Sequence, residues 1–412
     1  MSRSGVVPLA STLVCLSMLS DVAQAQPAPD PLRSAWRLAV EEFSGNPHAL
    51  ATDGRSLFFD DFQSFVEVSL TTGRRTRRFQ KHDEKGCEDE TVYLQADRQS
   101  ARLFALTVCN PREEEMARTL PGPRVEQASL RAFSLQSGKL SWMAEGRIPA
   151  PVDLAAERLY LVCDGELRAL DGGSGQELWK AAVPDEVAVG PAASAEAVFV
   201  ISEAGTARAF AARDGKPLWT QELSGRARCA PVVTADGVII SRLVDRDELS
   251  SGSAVSCLSA EDGRVLWNLE LPGELAFHRP VVVGERVFLV SAGDEGPGAV
   301  RALEAGSGRE MWKQPVVCDD DCEPVLDEGR LLVWSADLEE FAKTGVSEHY
   351  SLWLLDEKTG AVRGRHPLRL PEKFALSRPV AAKGRVAFSI GDEVRGLSLR
   401  WPASRSRAVA PR

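Results

Sequence analysis

Histidine is scarce in this chain. The five present are His48, His82, His278, His349 and His366, and no two stand at metal-ligand spacing such as H-x-x-x-H. There is no G-x-S-x-G nucleophile turn and no glycine-rich strand-to-helix loop, so neither a serine hydrolase nor a phosphate-cradling fold is indicated. Helix signals are few. Positive charge is in deficit: 49 Lys and Arg against 59 Asp and Glu leave a formal net charge of -10, which argues against a nucleic-acid partner, since that would want a basic face. Paired carboxylates are too common in so acidic a chain to mark a site. Long hydrophobic runs are missing after the N-terminus, so no membrane span is expected.

The N-terminus reads as a secretory signal. Arg3 is followed by a mostly apolar stretch from Val6 to Leu19 and a small-x-small site at Ala23-Gln24-Ala25. Cleavage near Ala25 would send the mature chain to the periplasm or outside the cell. A lipid anchor would have to use Cys15, but Val14 stands where such signals want a small residue, so no lipid anchor is expected. Removing residues 1–25 takes one Arg and one Asp and leaves the net charge unchanged. Seven cysteines then remain of eight, in an oxidising compartment that favours pairing.

What the sequence has in abundance is one repeated phrase. LRALDGGSGQELW turns at Gly175 and ends in Trp179. Copies follow with Gly215 and Trp219, Gly263 and Trp267, and Gly308 and Trp312, and an earlier one has Gly138 and Trp142. The Trp always lies four residues after the Gly. Further copies turn at Gly73 and Gly360 without the Trp. Alternating residues such as Leu167, Ala169 and Asp171 suit a strand with one buried face, and the Gly supplies a tight turn. A second strand carries the Trp, which can cover a neighbouring unit. Between copies stands a Pro (151, 191, 231, 280, 324, 379), then an apolar run, a turn and a β-branched strand. Each unit is thus four short strands, the size of a propeller blade.

Trp36 and Pro47 read as the end of one unit and the start of the next, with no turn before them. At the other end, 393–400 reads as a third strand with no fourth. The N-terminal strand is therefore expected to complete the C-terminal blade, closing the ring and removing free sheet edges. The expectation is an all-β, eight-bladed β-propeller with seven blades as the alternative. The chain divides into a signal peptide (1–25), a linker (26–33), one propeller domain (34–400) and a disordered basic tail (401–412). Residues 110–127 read as an insertion. The loop at 335–350 is expected to shape a partner surface.

The A-x-D-x-x-(S/T)-G-x-x-x-W pattern, fullest at Ala169, Asp171, Ser174, Gly175 and Trp179, resembles the tryptophan motif of pyrroloquinoline-quinone-like propeller repeats. The resemblance covers nearly all of 34–400. It implies one of two branches. The quinoprotein dehydrogenases imply a catalytic Asp, calcium held by Glu and Asn, a Trp beneath the cofactor and often a vicinal Cys-Cys ring. No Cys-Cys pair exists, and only Asn46, Asn110 and Asn268 could serve as the Asn ligand. The other branch is non-enzymatic, typified by the propeller lipoprotein of the outer-membrane β-barrel assembly machine. Its length and simplicity fit better. The favoured reading is a non-enzymatic scaffold without cofactor or metal that binds a protein partner in the cell envelope. The alternatives are an oxidoreductase with pyrroloquinoline quinone and calcium, or a small-ligand or cell-surface binding module.

Individual residues complete the expectations. Trp36, Trp142, Trp179, Trp219, Trp267 and Trp312 are assigned to blade packing. Asp319, Asp320 and Asp321 in CDDDC could hold calcium, but consecutive side chains point apart, and a loop closed by a Cys318–Cys322 disulfide fits better. Cys87 is read as preceding the first strand of its blade and Cys109 as ending the second, which would place them side by side as a bridge. Arg279 and Arg378 precede blade-opening prolines, a place expected at the channel mouth, where they could bind an acidic ligand or partner.

Overall fold

A computed structural model describes residues 32–399, apart from 41–48, 62–63, 82–86, 112–127, 149–150, 188, 248–249, 277, 294–295, 319–321, 345–348 and 369–375. The signal segment, the 112–127 part of the insertion, the three aspartates of CDDDC and the C-terminal tail lie outside the described residues.

The strands form eight antiparallel sheets built on one four-stranded plan, the blades of a β-propeller. Blades 1 to 7 run in chain order, each from its innermost to its outermost strand. Their third strands are Ser64–Ser69, Ala128–Ser134, Glu166–Asp171, Thr206–Ala211, Ser250–Ser259, Gly298–Glu304 and Tyr350–Asp356. Blade 8 takes Val380–Ala382, Arg385–Ile390 and Glu393–Leu399 from the C-terminus and Leu32–Ala39 from the N-terminus. The expected closure is present, and the seven-bladed alternative is excluded. The closing strand starts at Leu32, two residues before the expected domain start.

Position in the blade explains the sequence pattern. Second strands lie between two neighbouring blades, so both faces are covered and they read as apolar runs; all five residues of Ala197–Ile201 are buried. Outer strands reach the rim, and Glu177–Ala182 alternates between exposed and half-buried. The core is therefore a series of layers between blades rather than one mass.

The tryptophans join those layers. Each stands on an outer strand and lies against the turn glycine of the next blade. A Cβ added at Gly175, Gly215, Gly308 or Gly360 would come within 2.5 Å of the indole of Trp142, Trp179, Trp267 or Trp312. These glycines also have positive φ, near +70°, so both backbone and space demand glycine. The indole N–H then donates across the seam: Trp142 to Gly172 O (3.1 Å), Trp179 to Ala212 O (3.0 Å), Trp219 to Ala260 O (3.0 Å), Trp267 to Ala305 O (2.7 Å) and Trp312 to Glu357 O (3.1 Å). Trp36 does the same from blade 8 to Leu70 O (3.1 Å), beneath Gly73. A register shift beside each Trp, as between Ala169 and Leu170, sets the four-residue spacing.

The two copies without Trp have separate explanations. In blade 1 the place belongs to Arg77, whose side chain covers Gly138 and donates to Leu135 O. In blade 7 it belongs to Gly364, opposite Leu354. The next blade is blade 8, whose outer strand comes from the other terminus, so no third-to-fourth turn is there to be covered. That seam instead holds a cavity of about 340 Å³ lined by residues including His366, Leu368, Phe388 and Leu397.

Two expectations change in detail. Cys87 begins the first strand of blade 2, Cys87–Asp97, rather than preceding it: that strand is 11 residues long and extends past the usual blade edge. The register pairs Cys87 with Pro111 and Asp89 with Cys109; the cysteine side chains themselves lie outside the described residues. The 335–350 connection contains a short helix, Leu338–Thr344, capped by the Asp337 carboxylate, which accepts from the N–H groups of Glu339 (3.0 Å) and Glu340 (2.8 Å).

Candidate functional site: the axial cavity

The innermost strands lie side by side from blade 3 to blade 6 and from blade 7 through blades 8 and 1 to blade 2, and residues from all eight blades line an axial channel. At one mouth lies a cavity of about 710 Å³. Its wall is uneven. Blades 1 to 4 contribute mostly uncharged groups, among them Leu50, Thr52, Tyr93, Gln95, Pro151 and Gly190. The connections leading into blades 5, 6, 7 and 8 contribute Arg228, Cys229, His278, Arg279, Glu323 and Arg378. The Pro that opens a blade keeps the residue before it extended, and in blades 4 to 8 that preceding residue lines the cavity. Arg279, Glu323 and Arg378 all hold that place, before Pro280, Pro324 and Pro379.

Arg378 and Glu323 form an ion pair, Nη1 to Oε2 at 2.8 Å. Burial works against the charge of Arg378, but the Glu323 carboxylate outweighs it, and the guanidinium is held above its usual range. Its side chain keeps 39% of its surface open to the channel although protein surrounds it. Arg279 makes no ion pair among the described residues, but its charge acts on its neighbours. Asp153 is pushed up by burial, against the pull of Arg279 and of two amide donors, Ala193 N (2.8 Å) and Leu154 N (3.1 Å). Tyr93 donates to Gln95 Oε1 at 2.5 Å; burial, aided by Asp153, raises its phenol well above the ordinary value despite Arg279 and Arg378. Cys229 donates to the carbonyl of His278 at 3.5 Å, and burial pushes its thiol up to about 12.

The remaining expected residues stand elsewhere. Cys318 and Cys322 are joined in a disulfide, their Cα atoms 5.7 Å apart, with Cys318 Sγ 3.8 Å from His278 Nε2. Asp319, Asp320 and Asp321 lie outside the described residues. The six tryptophans are in the outer seams. Sequence reasoning missed Glu323, Arg228, Tyr93 and Cys229. Only Glu323 carried a signal, its place before Pro324.

The quinone reading is tested by the donors present. No described residue lining the cavity is a Trp. Glu323 is committed to Arg378, and Asp153 to backbone amides. Asn268 lies on the outer strand of blade 5, accepting from Ser256 Oγ at 2.7 Å. Asn46 and the side chain of Asn110 lie outside the described residues. Among the described residues no three His, Cys, Asp or Glu side chains are grouped to hold a metal ion. Among the described residues, this donor set does not fit a calcium-bound quinone.

Eight four-stranded blades joined by tryptophan-on-glycine seams define a pyrroloquinoline-quinone-like repeat propeller. The family model described as outer membrane protein assembly factor BamB matches residues 163–249 and 235–398, together more than half of the chain. The chain belongs to that family. No curated protein matches it in sequence. Among solved structures, BamB from Moraxella catarrhalis is 16% identical with a TM-score of 0.57, over 89% of this chain and 99% of that one. The quinohemoprotein alcohol dehydrogenase ADHIIG from Pseudomonas putida HK5 is 10% identical with a TM-score of 0.56, over 94% and 80%. The C-terminal WD40 domain of Sif2 is 8% identical with a TM-score of 0.61, over 90% and 99%. At these identities the likeness is one of fold alone. No helix among the described residues is long and apolar enough to cross a membrane.

Proposed function

We propose that this protein is a non-enzymatic interaction scaffold of the cell envelope, periplasmic after signal cleavage, that takes part in outer-membrane protein assembly. Family membership carries this reading: the matched family is described as an outer membrane protein assembly factor. Physical features support it. Seam packing makes a stiff disc, and connections from every blade gather on its faces, which suits recognition of a protein partner. The carboxylates at and beside the cavity are engaged, Glu323 by Arg378 and Asp153 by backbone amides.

The test is removal of the protein from its own host. The expected result is a lower level of folded outer-membrane β-barrel proteins, restored by the full chain, with the protein itself found in the periplasmic or membrane fraction. Unchanged assembly with a cytoplasmic location would refute the reading.

A further inference from the structure

Arg242, on the second strand of blade 5 (Gly237–Asp247), is 3% exposed and has no carboxylate partner among the described residues. Its Nη1 donates to Ser224 O, its Nη2 to Ser256 Oγ at 2.7 Å, and its Nε–H finds no acceptor. Burial without a counter-ion is the costliest way to hold a charge.

Other blades show what is missing. In blade 6 the third-strand Arg301, also 3% exposed, is gripped by Glu274 at 2.5 and 2.6 Å and by Glu310 at 3.1 Å. Arg168 of blade 3 pairs with Glu166 at 3.1 Å, Arg208 of blade 4 with Asp185 at 2.5 Å, and Arg395 of blade 8 with Glu393 at 2.9 Å. In blade 5 that third-strand position is Ser256, and Arg242 brings its guanidinium there from the neighbouring strand. The connections before blades 4 and 6 supply Asp185 and Glu274; the one before blade 5 supplies only the Ser224 carbonyl.

The guanidinium lines a cleft of about 670 Å³ between blades 4 and 5, with Ser256, Asn268 and the apolar Leu223 and Val265. Glu222 and Glu270 also line it; both are exposed, neither is paired with Arg242, and Glu270 is engaged elsewhere. We infer that this cleft binds a carboxylate, taken by the Arg242 guanidinium with the Asn268 amide NH2 beside it, while Ser256, which accepts from Arg242 Nη2 and donates to Asn268 Oδ1, holds both donors in place. One planar cation, whose Nη atoms keep N–H groups beyond those given to Ser224 O and Ser256 Oγ, matches a singly charged, two-oxygen acceptor better than a phosphate. The source is either a free carboxylic acid or a glutamate side chain of a polypeptide. The inference stands apart from the scaffold reading.

The experiment follows the arginine Nε–Hε signals of ¹⁵N-labelled full chain at low salt. The ligands are sodium propionate, the peptide acetyl-Leu-Glu-Leu-amide, and its Gln counterpart. The expected result is a saturable movement of the Arg242 signal with a carboxylate and none with the Gln peptide or chloride. Tighter binding of the Glu peptide identifies a polypeptide source, and tighter binding of propionate a free acid. Arg242→Met should weaken binding at least about tenfold, the loss expected for a charged hydrogen bond, and Ser256→Ala should weaken it less. Arg242→Met should also melt no lower than the parent, because it removes an unpaired charge, whereas Arg301→Met should melt lower. A static Arg242 signal with both carboxylates, or a fall in melting for Arg242→Met equal to that of Arg301→Met, overturns the inference.

Discussion

Replacing Gly308 with alanine tests the seam directly. At φ +68° an L-residue pays about 1–2 kcal/mol for left-handed backbone. The new methyl would stand 2.5 Å from Trp267 Cδ2, 2.6 Å from Cε3 and 3.0 Å from Cγ, in a seam where Trp267 is 8% exposed and tied to Ala305 O at 2.7 Å. Overpacking of that kind costs a further ~1–3 kcal/mol, so Gly308→Ala should lose about 2–5 kcal/mol in all. Gly54 is the control, because it has φ +84° and nothing within 4 Å of its missing Cβ. Gly54→Ala should cost only the backbone share of about 1–2 kcal/mol. Trp267→Ala alone should cost ~3–5 kcal/mol. In its background Gly308→Ala should fall to the value of the Gly54 control, leaving a coupling of ~1–3 kcal/mol. Urea unfolding followed by far-UV circular dichroism reads all of these. Strict additivity of Gly308→Ala and Trp267→Ala would refute the seam argument.

Two further outcomes follow from the buried charges and thiols. Burial would raise the Glu274 carboxyl, but Arg301, Ser291 and Lys313 outweigh burial and hold it at about 2, against an ordinary 4.5. A depressed carboxylate contributes stability above its unfolded pKa and loses it as pH falls through the folded one, here from about 4.5 down to 2. The shift corresponds to at most about 3 kcal/mol of pH-dependent stability before solvent screening reduces it, and Glu274→Gln should flatten the stability-against-pH curve in that window; an unchanged slope between pH 5 and pH 2.5 would contradict this. Burial also raises the thiols of Cys163 and Cys257 to about 11, with Cys229 at about 12. N-ethylmaleimide at pH 7 should therefore leave all three unlabelled in the native protein and label them in urea, read by peptide mass spectrometry; native labelling of Cys229 would show that the channel is open and the thiol ionisable.

The blades were legible because one local device repeats. A positive-φ glycine, a register shift and an indole four residues on are all sequence-local, so their spacing survives in the one-dimensional string. Arg77 was not legible as a tryptophan substitute, since only the seam shows an arginine stem lying over Gly138. Gly364 stands where other copies carry Trp, because the closing strand from the other terminus leaves no turn there to cover. The cavity was half legible. The place before each opening proline gave Arg279 and Arg378, and the same rule applied to Pro324 gives Glu323. Tyr93 lies inside a strand with no mark to separate it from core, and Arg242 reads as one charge among many. Its isolation exists only in three dimensions, where Ser256 replaces the third-strand arginine and no acid replaces Asp185 or Glu274.

A titration of the purified chain with pyrroloquinoline quinone and calcium, followed by absorbance alongside a dye-linked alcohol oxidation assay, tests the non-enzymatic reading most directly. The account predicts no saturable spectral change and no turnover at high micromolar cofactor, because Glu323 and Asp153 are already committed to Arg378 and to backbone amides. Saturable binding with turnover would contradict it and make the axial cavity a catalytic site.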